Sequence, residues 1–86
     1  MYVIRKDGDN TQLLSSVDLI NDRFITKFTS DREQAMLFGV QASRSLGGLI
    51  KLVDVSNLEV VRVQLMLRRI NFVSPRFEFT NEVLFP

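Results

Sequence analysis

Residues 30–48 read SDREQAMLFGVQASRSLGG, and the fold expected from the sequence depends on them. Ser30 and Glu33 have the spacing of a capping box, in which each side chain bonds the backbone amide of the other residue. Apolar and small side chains then recur at helical spacing, and Gly47-Gly48 ends a helix at low conformational cost. We therefore predict a helix from about Asp31 to Ser45. Its apolar stripe holds Ala35, Phe38, Gly39, Ala42 and Leu46, widened by Met36 and Val40.

Strand signals lie on both sides of this predicted helix. β-Branched and aromatic residues favour strands. Asp7-Gly8 marks a tight turn after the first predicted strand. Residues 17–22 remain ambiguous. The predicted strands are 2–5, 12–15, 23–28, 49–55 and 59–67. The last two would form a hairpin with Ile50, Leu52, Val61, Val63 and Leu65 on one face and Lys51, Arg62, Gln64 and Arg68 on the other.

These elements predict an α+β fold, with an antiparallel sheet of four or five strands and one main helix packed on one face. The chain has 86 residues, of which 45% are apolar and 24% charged, so we expect one globular domain. Residues 71–86 differ in texture because they hold four of the seven phenylalanines and both prolines. This segment is a candidate interaction arm.

The residue types that carry most enzyme chemistry are missing. The chain has no histidine and no cysteine, which removes the usual general base, the thiolate nucleophile and the commonest zinc ligands. The stretch Asp7-Gly8-Asp9-Asn10 lacks the ligand ladder of a calcium loop. Gly47-Gly48 lacks the lysine of a phosphate loop. We therefore expect no catalytic, cofactor-binding or metal site, and no enzyme.

Composition also bears on location. Without cysteine there is no disulfide framework of the kind found in secreted proteins. Tyr2-Val3-Ile4 is followed by charged residues rather than by the apolar region of a signal peptide. No apolar run approaches the ~20 residues that span a membrane. The expectation is a cytoplasmic protein of a host cell, with no membrane partner.

An acid-free interval with four arginines runs from Val60 to Phe77. In one interpretation its arginines contact a phosphate backbone while phenylalanines stack on bases. In the other they form the polar outer face of a strand and protect a sheet edge. The arginines are Arg62, Arg68, Arg69 and Arg76, and they define the alternative function, a nucleic-acid-binding accessory protein.

Two further surfaces are candidates for protein contacts. The first is either the outward face of the predicted helix, with Leu37 and Arg44, or the outer strand face, with Arg62, Gln64 and Arg68. A lone surface leucine such as Leu37 is also ordinary in a folded protein. The second is a homodimer interface made by the apolar tail. Its residues are Phe77, Phe79, Val83, Leu84 and Phe85.

The opening Tyr2-Val3-Ile4 and the block from Phe28 to Phe38 resemble small accessory proteins of bacteriophages and prophages. In that class a first strand, a capping box and a helix with an Ala-x-x-Phe pattern recur. The resemblance implies a short, non-enzymatic protein that binds host or phage machinery, and it carries over no site residues. The expected function is a protein-binding module, a phage-encoded inhibitor or modulator of a host complex such as a defence nuclease (anti-CRISPR type).

Overall fold

A computed structural model of the chain describes residues 1–39, 45–46, 48, 50–51, 53, 55–66 and 76–85. Its strands form one antiparallel sheet in the order β3-β2-β1-β4-β5. β3 and β5 are therefore the edge strands. The strands are β1 Tyr2–Lys6, β2 Asp9–Ile20, β3 Arg23–Thr29, β4 Leu58–Leu65 and β5 Phe77–Phe85.

The predicted α+β fold is wrong, because the named elements of the described chain are five strands and residues 31–39, where the main helix was expected, contain no helix. Of the described residues, only 45–46, 48 and 50–51, at and beyond the predicted end of that helix, are helical. The helix start survives only as a turn, in which the Gln34 amide donates to the Asp31 carbonyl at 3.1 Å. Asp31, not Ser30, accepts from the Glu33 amide, at 2.9 Å. The turn does not continue into a helix because the next residues bond to strands. Residues 40–44 of the predicted helix lie outside the described residues.

Residues 36–38 lie in extended form between β1 and β2. The Met36 amide donates to the Leu14 carbonyl at 2.9 Å, and Phe38 exchanges two hydrogen bonds of 2.8 Å with Tyr2. An α-helix would need the Met36 amide to bond the carbonyl of Arg32 instead. Tertiary hydrogen bonds thus override the helical spacing of this stretch.

The predicted first hairpin and the strand at residues 23–28 are confirmed. Asp7-Gly8 connects β1 to β2, and Gly8 has the positive φ of 69° that this turn requires. β2 continues through the ambiguous region to Ile20. There a two-residue turn of Asn21 (φ 50°) and Asp22 (φ 63°) leads into β3. Two positive φ values are typical of a type I′ turn, which joins twisted antiparallel strands tightly.

The predicted hairpin between residues 49–55 and 59–67 is wrong. β4 has β1 on one side and β5 on the other, so both of its edges are already occupied. The described Ile50, Lys51 and Val53 lie in no strand, and Leu52 lies outside the described residues. β1 takes the predicted partner's place because its Val3 and Ile4 meet Val61 and Val60 in register.

The sheet is apolar on both faces, contrary to the expected division into one apolar and one polar face. Alternating residues such as Val3 and Ile4 on β1, or Leu13 and Leu14 on β2, enter opposite clusters. The first cluster holds Val3, Leu13, Ala35, Val61, Val63 and Phe77. The second holds Ile4, Leu14, Leu46, Val53, Leu58 and Val60.

The β2–β3 hairpin extends beyond the rest of the sheet. β2 has 12 residues but pairs with β1 only between Asp9 and Leu13, while its remainder pairs with β3 alone. The molecule is elongated accordingly, at 43 × 23 × 23 Å. We call residues 15–28 the ribbon. Phe28 at its base, Val17 in its middle and Phe24 near its turn all pack against the second cluster.

The strained turn of the ribbon gives a first prediction, for Asp22→Gly. Glycine adopts a positive φ without the steric cost that aspartate carries. The free energy of unfolding of the variant should therefore be higher by about 0.5–1 kcal/mol. Urea denaturation measures this change. Asp22→Ala is the control and should bring no gain, since alanine keeps the Cβ that clashes at positive φ.

A second prediction separates the two ends of β5. Phe77 is 0% exposed, whereas Val83 is 42% exposed. Phe77→Ala should cost about 3–5 kcal/mol of unfolding free energy, because it opens a cavity in the first cluster. Val83→Ala should change it by no more than about 0.5 kcal/mol. Similar costs for the two variants in urea denaturation would contradict this placement of β5.

Candidate protein-binding surface

Arginine and phenylalanine side chains form a column on the first face of the sheet. The Arg32 guanidinium lies 4.7 Å from the ring centre of Phe79 and 5.8 Å from that of Phe77. The two rings meet edge to face at 5.5 Å. Arg32 also donates from Nη1 to the Phe77 carbonyl at 2.9 Å. Charge attraction to the ring faces and a hydrogen bond thus hold Arg32 against β5.

Arg76 extends this column and fastens residues 33–35 to the start of β5. It donates from Nη1 to the Glu33 carbonyl at 3.0 Å and from Nη2 to the Ala35 carbonyl at 2.5 Å. Its guanidinium also lies 5.7 Å from the Phe77 ring centre. Among the described residues its buried Nε has no partner. One N–H of each terminal nitrogen therefore serves the fold.

Glu59 is a nearly buried carboxylate beside the same column. Its Oε1 accepts from Arg5 Nε at 2.5 Å and from the Gly8 amide at 3.1 Å, and Arg5 also bonds Asn10 and lies 5.7 Å from the Phe79 ring centre. Burial alone would raise the pKa of Glu59. The hydrogen bonds from Arg5 and Gly8 outweigh burial and hold that pKa below its usual value. Glu59 therefore links β4 to β1 and to the first turn.

The lowered pKa of Glu59 gives a third prediction. A depressed pKa contributes stability above the ordinary glutamate value of about 4.3, and this stability is lost as pH falls through the folded value. Glu59→Gln should cost about 2 kcal/mol at neutral pH, because Arg5 loses its anionic partner. The loss of stability below about pH 4.3 should become shallower.

Urea denaturation across this acid range measures both effects. Glu78→Gln on the exposed side of β5 is the matched control and should change stability by no more than about 0.5 kcal/mol. An unchanged acid profile in Glu59→Gln would contradict the role given to Glu59.

The partner-binding residues expected from the sequence do not share one described surface. Arg62 and Gln64 are exposed on one face of β4, and Arg62 forms a 2.6 Å ion pair with Glu82. Leu37 is half-buried against the first cluster, on the other face, and no helix presents it to solvent. Arg44, Arg68 and Arg69 lie outside the described residues. Arg62 and Gln64 thus stay predicted partner-binding residues on an exposed face, and Arg44 and Arg68 stay predictions that the described residues do not reach.

The residues expected at a dimer interface lie along β5 on both faces. Phe77 and Phe79 pack in the first cluster of their own chain, whereas Leu84 packs against the second. Val83 is exposed, and Phe85 pairs through its backbone with Val60. The tail is therefore an integral edge strand, so Phe77 is unavailable to a second copy while the chain is folded.

The acidic residues do not gather into a site within the described part of the chain. No three carboxylates there converge as metal ligands would. Asp9 accepts from the Thr11 amide at 2.9 Å and from its hydroxyl at 2.6 Å, and these bonds lower the pKa of Asp9. Asp18 lies opposite Ile25 in the ribbon, and Asp22 lies in its turn. Asp9 and Asp22 thus have local structural roles in turns.

The end of the ribbon exposes three large aliphatic side chains. Leu19 is 64% exposed, Ile20 52% and Ile25 40%. We call these three residues the tip patch. The tip patch was missed in the sequence because residues 17–22 carried no clear strand pattern. The signal was Leu-Ile followed by Asn21-Asp22, two residue types that tolerate positive φ and so favour a hairpin turn between apolar residues.

Comparisons with known proteins found no matching family model, no matching curated protein and no matching solved structure. Nothing found supports the bacteriophage and anti-CRISPR role that was expected from the sequence, and that role is not carried further. Only a small sheet-rich domain is shown. Within the described residues, no helix is long and apolar enough to cross a membrane.

Proposed function

We propose that this chain is a non-enzymatic protein-binding module that contacts its partner through the tip patch. The observation that carries the proposal is the exposure of Leu19, Ile20 and Ile25 at one end of the ribbon. Single exposed apolar residues are ordinary on protein surfaces. Here three of them share the far end of a hairpin, beside Phe24, which packs against the second cluster.

The register of the ribbon brings these side chains together. Ile20 lies opposite Arg23 and Ile25 opposite Asp18, so the two isoleucines are diagonal neighbours on one face. Such neighbours lie about 7–8 Å apart. Leu19 points to the other face beside Phe24. A partner that receives the tip can therefore bury apolar side chains from both faces of the ribbon.

Polar residues surround the tip patch as they surround the centre of many interfaces. Asp18, Asp22, Arg23 and Lys27 provide both signs of charge around it. Interfaces commonly combine a desolvated apolar centre with a charged rim that adds specificity. Covering the exposed half of each aliphatic side chain would contribute about 1 kcal/mol apiece.

The nucleic-acid alternative receives less support from the described arginines. Arg62 is paired with Glu82, and Arg76 bonds two backbone carbonyls. Phosphate binding would have to replace the Arg62 ion pair, and it would have to share an Arg76 guanidinium that already holds residues 33–35. The tip patch needs no such rearrangement.

Site-specific photo-crosslinking tests this proposal in lysate of the source cell. A benzophenone side chain at Ile20 should give one dominant adduct with another protein, and Leu19→Ser should reduce it about tenfold through the loss of apolar burial at the centre of the contact. The same photoreactive group at the exposed Thr11, near the opposite end of β2, is the control. Equal adducts from both positions, or no effect of Leu19→Ser, would count against the tip patch.

A further inference from the structure

The outer edge of β3 has an open row of backbone hydrogen-bonding groups. No strand pairs with this edge in the described part of the chain. In a two-residue hairpin, Ile20 and Arg23 bond each other, so alternate residues of β3 turn their amides and carbonyls away from β2. Ser15 Oγ donates to the Lys27 carbonyl at 3.1 Å, which places that carbonyl on the β2 side. The residues whose backbone amides and carbonyls face the open edge are Phe24, Thr26 and Phe28.

The two edges of the sheet differ in how they resist pairing. The register of β5 against β4 shifts twice, between Val60 and Val61 and again between Val61 and Val63. Such bulges twist an edge and hinder the addition of a strand. β3 pairs with β2 without a shift from Arg23 to Lys27. A regular, open edge is suited to accepting another strand.

We infer that two copies of this chain pair β3 with β3 in antiparallel order about a two-fold axis at Thr26. The backbone of Thr26 then forms hydrogen bonds with the backbone of Thr26 of the second copy. By the two-fold symmetry, the backbone of each Phe24 forms hydrogen bonds with that of Phe28 of the other copy. The result is one continuous sheet with five described strands from each chain. Residues 23–29 all gain a partner. The contact surface is the edge of the strand, so the inference goes beyond the tip patch.

The sequence of β3 is self-complementary in this register. Lys27 lies opposite Ile25 of the other copy, and Arg23 lies opposite Thr29, so no like charges lie directly opposite each other. A centre at Ile25 would place Arg23 opposite Lys27. A centre at Lys27 would place that lysine opposite itself. Like charges directly opposite destabilise strand pairs, so Lys27 excludes the neighbouring registers and favours the centre at Thr26.

The same register joins apolar side chains across the two-fold axis. Phe24, Thr26 and Phe28 share the half-buried face of β3. Across the new boundary each Phe24 meets a Phe28, and aromatic pairs are among the favourable cross-strand neighbours. Leu19 lies beside Phe24 on that face, so the apolar surface continues from one ribbon to the next. The tips point in opposite directions and remain open.

A single cysteine tests the register, since the chain has none of its own. In a hydrogen-bonded antiparallel pair the two Cα atoms lie about 5.5 Å apart, within the roughly 4.4–6.8 Å that a disulfide spans. Oxidised Thr26→Cys should therefore cross-link into a covalent dimer. Ile25→Cys is the control and should cross-link poorly, because Ile25 meets its own copy only as a diagonal neighbour about 7–8 Å away.

A charge exchange tests the pairing without oxidation. Light scattering of the unmodified chain should report twice the single-chain mass of 9.9 kDa. Ile25→Lys places a lysine opposite Lys27 twice per dimer and should weaken association about tenfold. Adding Lys27→Glu should restore it, because each new lysine then meets a glutamate. Inside one chain Ile25→Lys faces Asp18 and Lys27→Glu faces Ser16, so the ribbon itself is spared.

A monomer at high micromolar concentration would overturn the inference, as would a dimer that Ile25→Lys leaves unchanged. A dimer lost in Ile25→Lys and not recovered by the second change would also overturn it, because the charge register would then be wrong. Each of these results leaves the Ile20 crosslinking test intact. Failure of the β3 pairing is thus distinguishable from failure of the tip patch.

Discussion

The hydrogen bonds that residues 36–38 make with Tyr2 and Leu14 govern the rest of this structure. Through these bonds residues 36–38 lie between β1 and β2, so the two strands pair with each other only between their turn and Leu13. Beyond that point β2 has β3 as its neighbour, and the hairpin leaves the sheet as the ribbon. Both the exposed tip patch and the open edge of β3 follow from this separation.

The turn at residues 32–35, which leads into this segment, explains why several arginine contacts lie on one face. A chain that crosses a sheet in a turn leaves backbone carbonyls that need donors. Arg76 supplies them to Glu33 and Ala35, while Arg32 reaches from the segment to the Phe77 carbonyl. The phenylalanine rings between these cations add attraction of about 0.5–2 kcal/mol for each close contact. Of the arginines that suggested an external anion, Arg62 and Arg76 thus bind the protein to itself.

Sequence patterns succeeded where the decisive interactions are local. Asp7-Gly8 specifies its own turn, and the alternation of Phe24, Thr26 and Phe28 specifies which face of β3 is half-buried. They failed at Ala35 to Phe38, because the spacing of a short apolar run fits a helix as well as a buried extended segment. They also failed at Glu59, whose acidic side chain gives no sign in sequence of the Arg5 and Gly8 groups that keep it ionised.

The sequence by itself predicted one small domain and strands at residues 2–5, 23–28 and 59–67, and it excluded histidine and cysteine chemistry. The structure has these strands at Tyr2–Lys6, Arg23–Thr29 and Leu58–Leu65. Composition, turn residues and β-branched runs act within a few residues, so they can be read without the fold. Only the tertiary structure decided that β4 lies beside β1 and β5 and that Phe77 is core. These outcomes depend on which distant strand satisfies a backbone edge, and that competition is settled over the whole chain at once.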